Sequence, residues 1–189
     1  ENMGDQINTA GDESFPFVTD ENVLYFASNG LAGFGGLDVF FVDLNKNQFV
    51  KIAEGKKIRY PTISPNLEKV AYVLENNIYI FNLKNHKTER VTSDGKVNFI
   101  INGASDWVYE EEFKVTNTMS WSEDSKSLAY LKFDESKVKE ISFPIYTNDY
   151  PENISYKYPR AGEEVSEVSA WVYTSKKKHF KIEIEATYF

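Results

Sequence analysis

Three features of the sequence predict an all-β fold. Aromatic residues make up 15% of the 189 residues, and they sit in short alternating or apolar runs rather than at helical spacing. Most of these runs have the length of ordinary strands and are separated by turn-forming clusters such as Ser64-Pro65-Asn66, Glu75-Asn76-Asn77 and Ser93-Asp94-Gly95. A strand–turn–strand signature also recurs. Phe15-Pro16-Phe17-Val18-Thr19 precedes Val23-Leu24-Tyr25-Phe26, Tyr60-Pro61-Thr62-Ile63-Ser64 precedes Val70-Ala71-Tyr72-Val73, and Thr118-Met119-Ser120-Trp121-Ser122 precedes Leu128-Ala129-Tyr130-Leu131. Thr19, Ser64 and Ser122 are spaced by 45 and then 58 residues. The first spacing matches a propeller blade of about 40–45 residues, and the excess in the second marks an insertion. The expected architecture is therefore a β-propeller, partial at three recognisable repeats, with four-stranded antiparallel blades.

In chain order, strands are expected at residues 23–28, 37–43 and 49–53, then at 69–74 and 77–82. Further strands are expected at 127–133, 168–174 and 180–185, with the insertion at 98–116. Tyr72 and Tyr130 occupy matching positions in the repeat and are expected to pack between neighbouring blades. One propeller-type domain over residues 1–189 accommodates all of this, because a chain of that length can bury a sizeable core.

Composition narrows the function. Against 21 Lys and Arg stand 29 Asp and Glu, giving a net charge of −8 that would repel a phosphate backbone, so no nucleic-acid partner is expected. The absence of Cys removes disulfides, thiolate nucleophiles and Cys-ligated metal centres. No run of about 18 apolar residues is present, so no helical membrane span is expected. No cofactor and no metal site are expected either. The chain starts at Glu1 without a Met or a signal peptide, as a mature form or an excised piece would.

Few residues carry candidate chemistry. Glu110, Glu111 and Glu112 are adjacent carboxylates, flanked by Asp106, Trp107, Val108 and Tyr109 on one side and Phe113 on the other; on physical grounds alone such a run is a solvated acidic turn. There is no G-x-S-x-G elbow; His86 lies in a turn between strands and His179 beside three Lys, so both read as solvated surface residues rather than partners of a Ser and an acid. The Gly33–Gly36 loop is followed by no helix, so it reads as a loop between strands rather than a phosphate cradle. Asp20-Glu21-Asn22 lacks the remaining ligands of a calcium loop and reads as a hairpin turn. Lys176-Lys177-Lys178 reads as a solvated basic turn, and Asn153-Ile154-Ser155 as a chance sequon.

Two family resemblances run through these segments. INTAGDESFPF (residues 7–17) and LYFASNGLAGFGGLDVFF (residues 24–41) resemble the WD-like propeller repeat of OmpA-associated envelope proteins, making residues 1–50 one such blade. YPTISP (60–65), VAYVLENNIYI (70–80), INGASDWVYEEEF (101–113), LAYLKFDESKV (128–138) and YKYPRAGEEVSEVSAWVY (156–173) are similar to the N-terminal propeller of bacterial dipeptidyl peptidase IV, in the prolyl oligopeptidase superfamily of serine peptidases. That similarity assigns residues 51–174 to blades of this family and leaves 175–189 as a terminal strand. The joint near residues 42–51 is what a hybrid chain would show.

The second resemblance implies that Glu111 and Glu112 hold the protonated amino terminus of a peptide substrate. It also implies that the catalytic triad belongs to a C-terminal α/β-hydrolase domain, so this chain is expected to carry no catalytic residue. Arg59 and Arg90 do not align with the family's carbonyl-binding Arg. The implied partners are a peptide with a free N-terminus and either a second copy of the chain or the remainder of the propeller and hydrolase. The implied location is the periplasm or outer membrane of a Gram-negative bacterium, with a signal sequence upstream of Glu1. The other function class is an envelope or engineered propeller scaffold that binds a protein or assembles, without enzymatic role.

Overall fold

Three turns built to one rule explain why Thr19, Ser64 and Ser122 align. Each hydroxyl accepts the backbone N–H that opens the next strand: Val23 to Thr19 at 3.2 Å, Lys69 to Ser64 at 3.0 Å and Ser127 to Ser122 at 3.0 Å. The same three residues accept through their carbonyls from Asn22, Leu67 and Ser125 at 3.0, 2.8 and 2.8 Å. Those donors adopt left-handed φ values of 61°, 57° and 58°, which close the turn tightly enough to return the chain antiparallel. The structure, a computed structural model, describes residues 3, 7–31, 38–44, 48–52, 57–146 and 151–183. The Gly33–Gly36 loop lies outside the described residues.

Each turn joins the first two strands of a sheet. The first sheet runs β1 (Glu13–Val18), β2 (Val23–Ser28), β3 (Asp38–Asp43), β4 (Gln48–Lys51), with neighbours antiparallel in that order. The second runs β5 (Arg59–Ile63), β6 (Lys69–Leu74), β7 (Asn77–Asn82), β8 (Lys87–Arg90). After β8 the chain forms β9 (Ile100–Asn102) and a single helical turn, α1 (Trp107–Glu111), within the 98–116 segment. The third sheet follows, with β10 (Met119–Trp121) and β11 (Ser127–Asp134). A separate hairpin of β12 (Glu140–Ile145) and β13 (Glu152–Lys157) then interrupts the sheet before β14 (Glu167–Thr174) and β15 (His179–Ile182) complete it. The order is β10-β11-β14-β15, with β9 added on β11. These are three blades of a propeller, as the repeat predicts.

Period-2 alternation decides which blade each side chain meets. From β6, Val70, Tyr72 and Leu74 pack with Tyr25 and Phe41 of the first blade, while Ala71 and Val73 pack with Leu128 and Tyr130 of the third. Tyr72 and Tyr130 thus lie between neighbouring blades, 2% and 4% exposed. The first strands of adjacent blades also meet: Trp121 Nε1 donates to the Thr62 carbonyl at 2.9 Å, and Asn117 Nδ2 to Thr62 Oγ1 at 2.8 Å. These contacts bring β5 and β10 side by side, with the α1 segment next to both.

The 135–166 insertion is a feature the sequence reading did not anticipate. It splits β11 from β14, although the two pair continuously from Ser127↔Thr174 to Asp134↔Glu167. It leaves Phe143, Ile145 and Ile154 of the hairpin 46%, 36% and 46% exposed.

Candidate functional site

The acidic run closes α1, a helix of five residues with none buried: Glu110 and Glu111 are its last two residues and Glu112 is its C-cap. So short a helix gains little from its own hydrogen bonds and is held by its surroundings. At its start, Asp106 takes an extended conformation and its Oδ1 accepts from Tyr109 N at 2.9 Å, the standard N-cap bond. At its end, Glu112 N donates to the Val108 carbonyl at 2.9 Å and Val115 N donates to the Tyr109 carbonyl at 3.0 Å, turning the chain back toward β10. Beneath it, the Tyr109 ring meets Phe133 edge-on at 5.1 Å and Phe113 at 5.5 Å.

The three glutamates have different surroundings. Glu110 is half-buried, and its Oε1 accepts from the Tyr60 hydroxyl at 2.9 Å. Tyr60 occupies a bulge of β5 at φ 53°, which departs from regular pairing between Arg59 and Thr62. Burial, reinforced by the Glu110 carboxylate, pushes the Tyr60 pKa up to about 12, so the phenol keeps its proton and remains a donor. Glu111 is exposed, with Lys114 Nζ at 4.0 Å. That pair is long and wet, worth under about 1 kcal/mol. Glu112 is also exposed and lines a groove of about 300 Å³ with Trp107, Tyr158, Pro159, Arg160 and Val165.

A second carboxylate lies under the helix start. Glu135 is 6% exposed, as is Asp106. Burial, with the Asp106 charge as the next cause, raises the Glu135 pKa to about 7; Asp134 adds to the rise and Lys157 opposes it.

Other sequence candidates are tied up elsewhere. Arg59 Nη2 donates to Asn76 Oδ1 at 2.9 Å, and Arg90 Nε to the Thr92 carbonyl at 2.8 Å. His86 stacks on Phe81 with centroids 6.1 Å apart. His179 Nδ1 lies 3.0 Å from the Tyr130 hydroxyl, and Lys177 pairs with Glu89 at 3.0 Å. Among the described residues, no group of three or more His, Asp or Glu is placed to hold a metal ion. Nor is any described helix long and apolar enough to cross a membrane. Sequence reasoning passed over Tyr60, Asp106 and Glu135. Asp106 was legible in principle as an N-cap three residues before Tyr109; Tyr60 reaches Glu110 from fifty positions away and leaves no local signal.

Comparison with known proteins adds the family context. Residues 35–187 match the family described as "Dipeptidyl peptidase IV (DPP IV) N-terminal region". The chain is 42% identical over 143 residues to dipeptidyl aminopeptidase B of Saccharomyces cerevisiae, covering 72% of the chain and 17% of that protein. It is 38% identical over 135 residues to dipeptidyl peptidase 4 of Sus scrofa, covering 69% of the chain and 18% of that protein. The chain therefore spans less than a fifth of the length of these curated relatives. Its fold is similar to the crystal structure of Porphyromonas gingivalis dipeptidyl peptidase 4, with a TM-score of 0.76 and 35% identity over 95% of this chain and 24% of that one. Coverage that wide places the first blade and the two that follow within a single relative.

Proposed function

This chain belongs to the dipeptidyl peptidase IV N-terminal family, and on that premise we propose that it is the noncatalytic propeller portion of a dipeptidyl peptidase IV-like serine exopeptidase. In this reading Glu111 and Glu112 receive the free amino terminus of a peptide substrate. The observation that carries it is the division within the acidic run: Tyr60 engages Glu110, whereas Glu111 and Glu112 remain exposed at the end of α1. An ammonium group has three donors and no acceptor, so two neighbouring carboxylates can each take a charge-assisted hydrogen bond while the cation offsets their mutual repulsion. The entering amine displaces Lys114 from its loose contact with Glu111. Holding the amine at a fixed point sets the register of the peptide, and bond cleavage is left to the hydrolase domain of the whole enzyme. The same reading locates the source protein in the periplasm or at the outer membrane of a Gram-negative cell.

The test is a titration of an Xaa-Pro dipeptide and of its N-acetylated form, followed through the amide shifts of residues 106–113 by NMR. Charge-assisted bonds contribute roughly 1.5–3 kcal/mol each, so with the rest of the peptide in water the expected affinity is in the millimolar range, about −4 kcal/mol. Binding should vanish on acetylation and in the Glu111→Gln, Glu112→Gln double variant. Equal responses to both ligands would return the run to a solvated acidic turn.

Exposed apolar side chains favour a second reading, an envelope or engineered scaffold that assembles or binds a protein. Phe180 and Ile182 of β15 are 53% and 43% exposed, in addition to the hairpin side chains. A further blade or a second copy of the chain would cover such a face.

A further inference from the structure

We propose that Trp107, held by Tyr156 and Tyr158 of the inserted segment, is a positioning residue that sets the placement of Glu112, so that the β12–β13 insertion tunes amine binding. The inference rests on the amine-binding reading above and deepens it. Its starting point is that α1 cannot place itself: it has five residues, none of them buried. The blades hold one side, through Tyr60 to Glu110 and Tyr109 to Phe133. The insertion holds the other. The Trp107 ring stacks on Tyr156 with centroids 6.0 Å apart at 28°, and meets Tyr158 at 5.0 Å and 58°. Nearby, Ser166 Oγ donates to Asp106 Oδ2 at 2.5 Å in a buried contact, so the cap residue itself is bound to the end of the insertion.

The described residues at the base of the insertion are tied together. Lys157 Nζ donates to the Val138 carbonyl at 2.7 Å, and Tyr158 N to the Lys139 carbonyl at 2.9 Å, closing its base. Lys139 pairs with Glu163 at 2.5 Å, and Glu163 Oε2 accepts from Arg160 N at 3.1 Å. Trp107 and Tyr158, the two rings in closest contact, also line the groove that contains Glu112. A shift of the insertion therefore moves the wall beside Glu112 and the ring at the first position of its helix together. Glu111 instead has Lys114 Nζ at 4.0 Å.

The experiment compares the parent chain with Trp107→Ala, Trp107→Phe and a Tyr156→Ala, Tyr158→Ala double variant. Two readouts are taken on each: amide hydrogen exchange at residues 109–112, and the initial slope of the amide-shift titration with a free-amine Xaa-Pro dipeptide and its N-acetylated form. Expected is faster exchange at those amides in Trp107→Ala and in the Tyr pair variant, with the free-amine slope reduced roughly three- to tenfold. Trp107→Phe should restore most of both, since a ring remains to be clamped. Unchanged exchange in the Tyr pair variant would overturn the coupling. Faster exchange with an unchanged slope would overturn the role in amine binding. If the parent itself fails to distinguish the free from the acetylated peptide, the amine reading falls, and the positioning role with it, whatever the exchange data show about the clamp.

Discussion

Phe133→Ala is expected to lower the free energy of unfolding by about 3–5 kcal/mol, the cost of emptying a large aromatic site in a packed core. Phe133 is fully buried, in the cluster where β6 and β7 of the second blade meet the third. Its strand, β11, pairs along its length with β14 and also with β9, where Phe133 faces Ile101. Sheet pairing on both sides of β11 limits collapse into the space, so the cavity term adds to the transfer term. Domains of this size are stable by about 5–15 kcal/mol, so the loss would remove a large share of the total. Urea unfolding followed by tryptophan fluorescence measures it. A loss below about 1 kcal/mol would mean that the blade interface is much looser than the burial of Phe133 implies. The same substitution removes the ring under Tyr109, so α1 should lose order before the blades do.

How much of this was legible in the sequence depended on whether a residue's partner was near in the chain. The strands that face two blades, such as β6 and β7, read as apolar runs because both of their faces are covered. The first strand of each blade showed up through repetition, and the hydroxyls of Thr19, Ser64 and Ser122 explain what the repetition preserves. By contrast, β8 is Lys87-Thr88-Glu89-Arg90, an edge strand with its side chains mostly in water and no apolar alternation to betray it. The hairpin β12–β13 was equally hidden. Pro144 lies inside β12, where a proline argues against a central strand and fits an edge, and the polar Ser142 and Ser155 face each other across the pair.

The site divides in the same way. The acidic run was visible as three letters, and the resemblance singled out its second and third members. The hydrogen bond from Tyr60 sets Glu110 apart from the two exposed glutamates, and no spacing in the sequence announces it. Glu135 was passed over because a Glu beside Asp134 reads as surface charge. It is 6% exposed, and its backbone is tied on both sides: Glu135 N donates to the Phe99 carbonyl at 2.7 Å, and Val138 N to the Glu135 carbonyl at 3.0 Å.

Glu135→Gln is expected to change the pH dependence of stability, and the direction follows from the sign of its pKa shift. The folded-state value of about 7 lies above the ordinary 4.5, so the folded protein keeps a proton that the unfolded chain has already released. Between those two values stability therefore falls as pH rises, and above about 7 the whole penalty is present. At 1.36 kcal/mol per unit the ceiling is about 3 kcal/mol, and solvent screening brings the expected value nearer 1–2 kcal/mol. A Gln mimics the protonated acid at every pH. The variant should match its parent near pH 4, where both are neutral at this position, and exceed it by about 1–2 kcal/mol at pH 8. Other carboxylates, Asp94 and Glu163 among them, are shifted down and contribute the opposite slope, so the quantity to read is the difference between variant and parent. Urea midpoints at pH 4, 6 and 8 supply it. A difference that stays constant across that range would show that Glu135 does not titrate there. A difference that grows with pH would identify the buried carboxylate beside Asp106 as a charge that works against the cap of the glutamate-bearing helix.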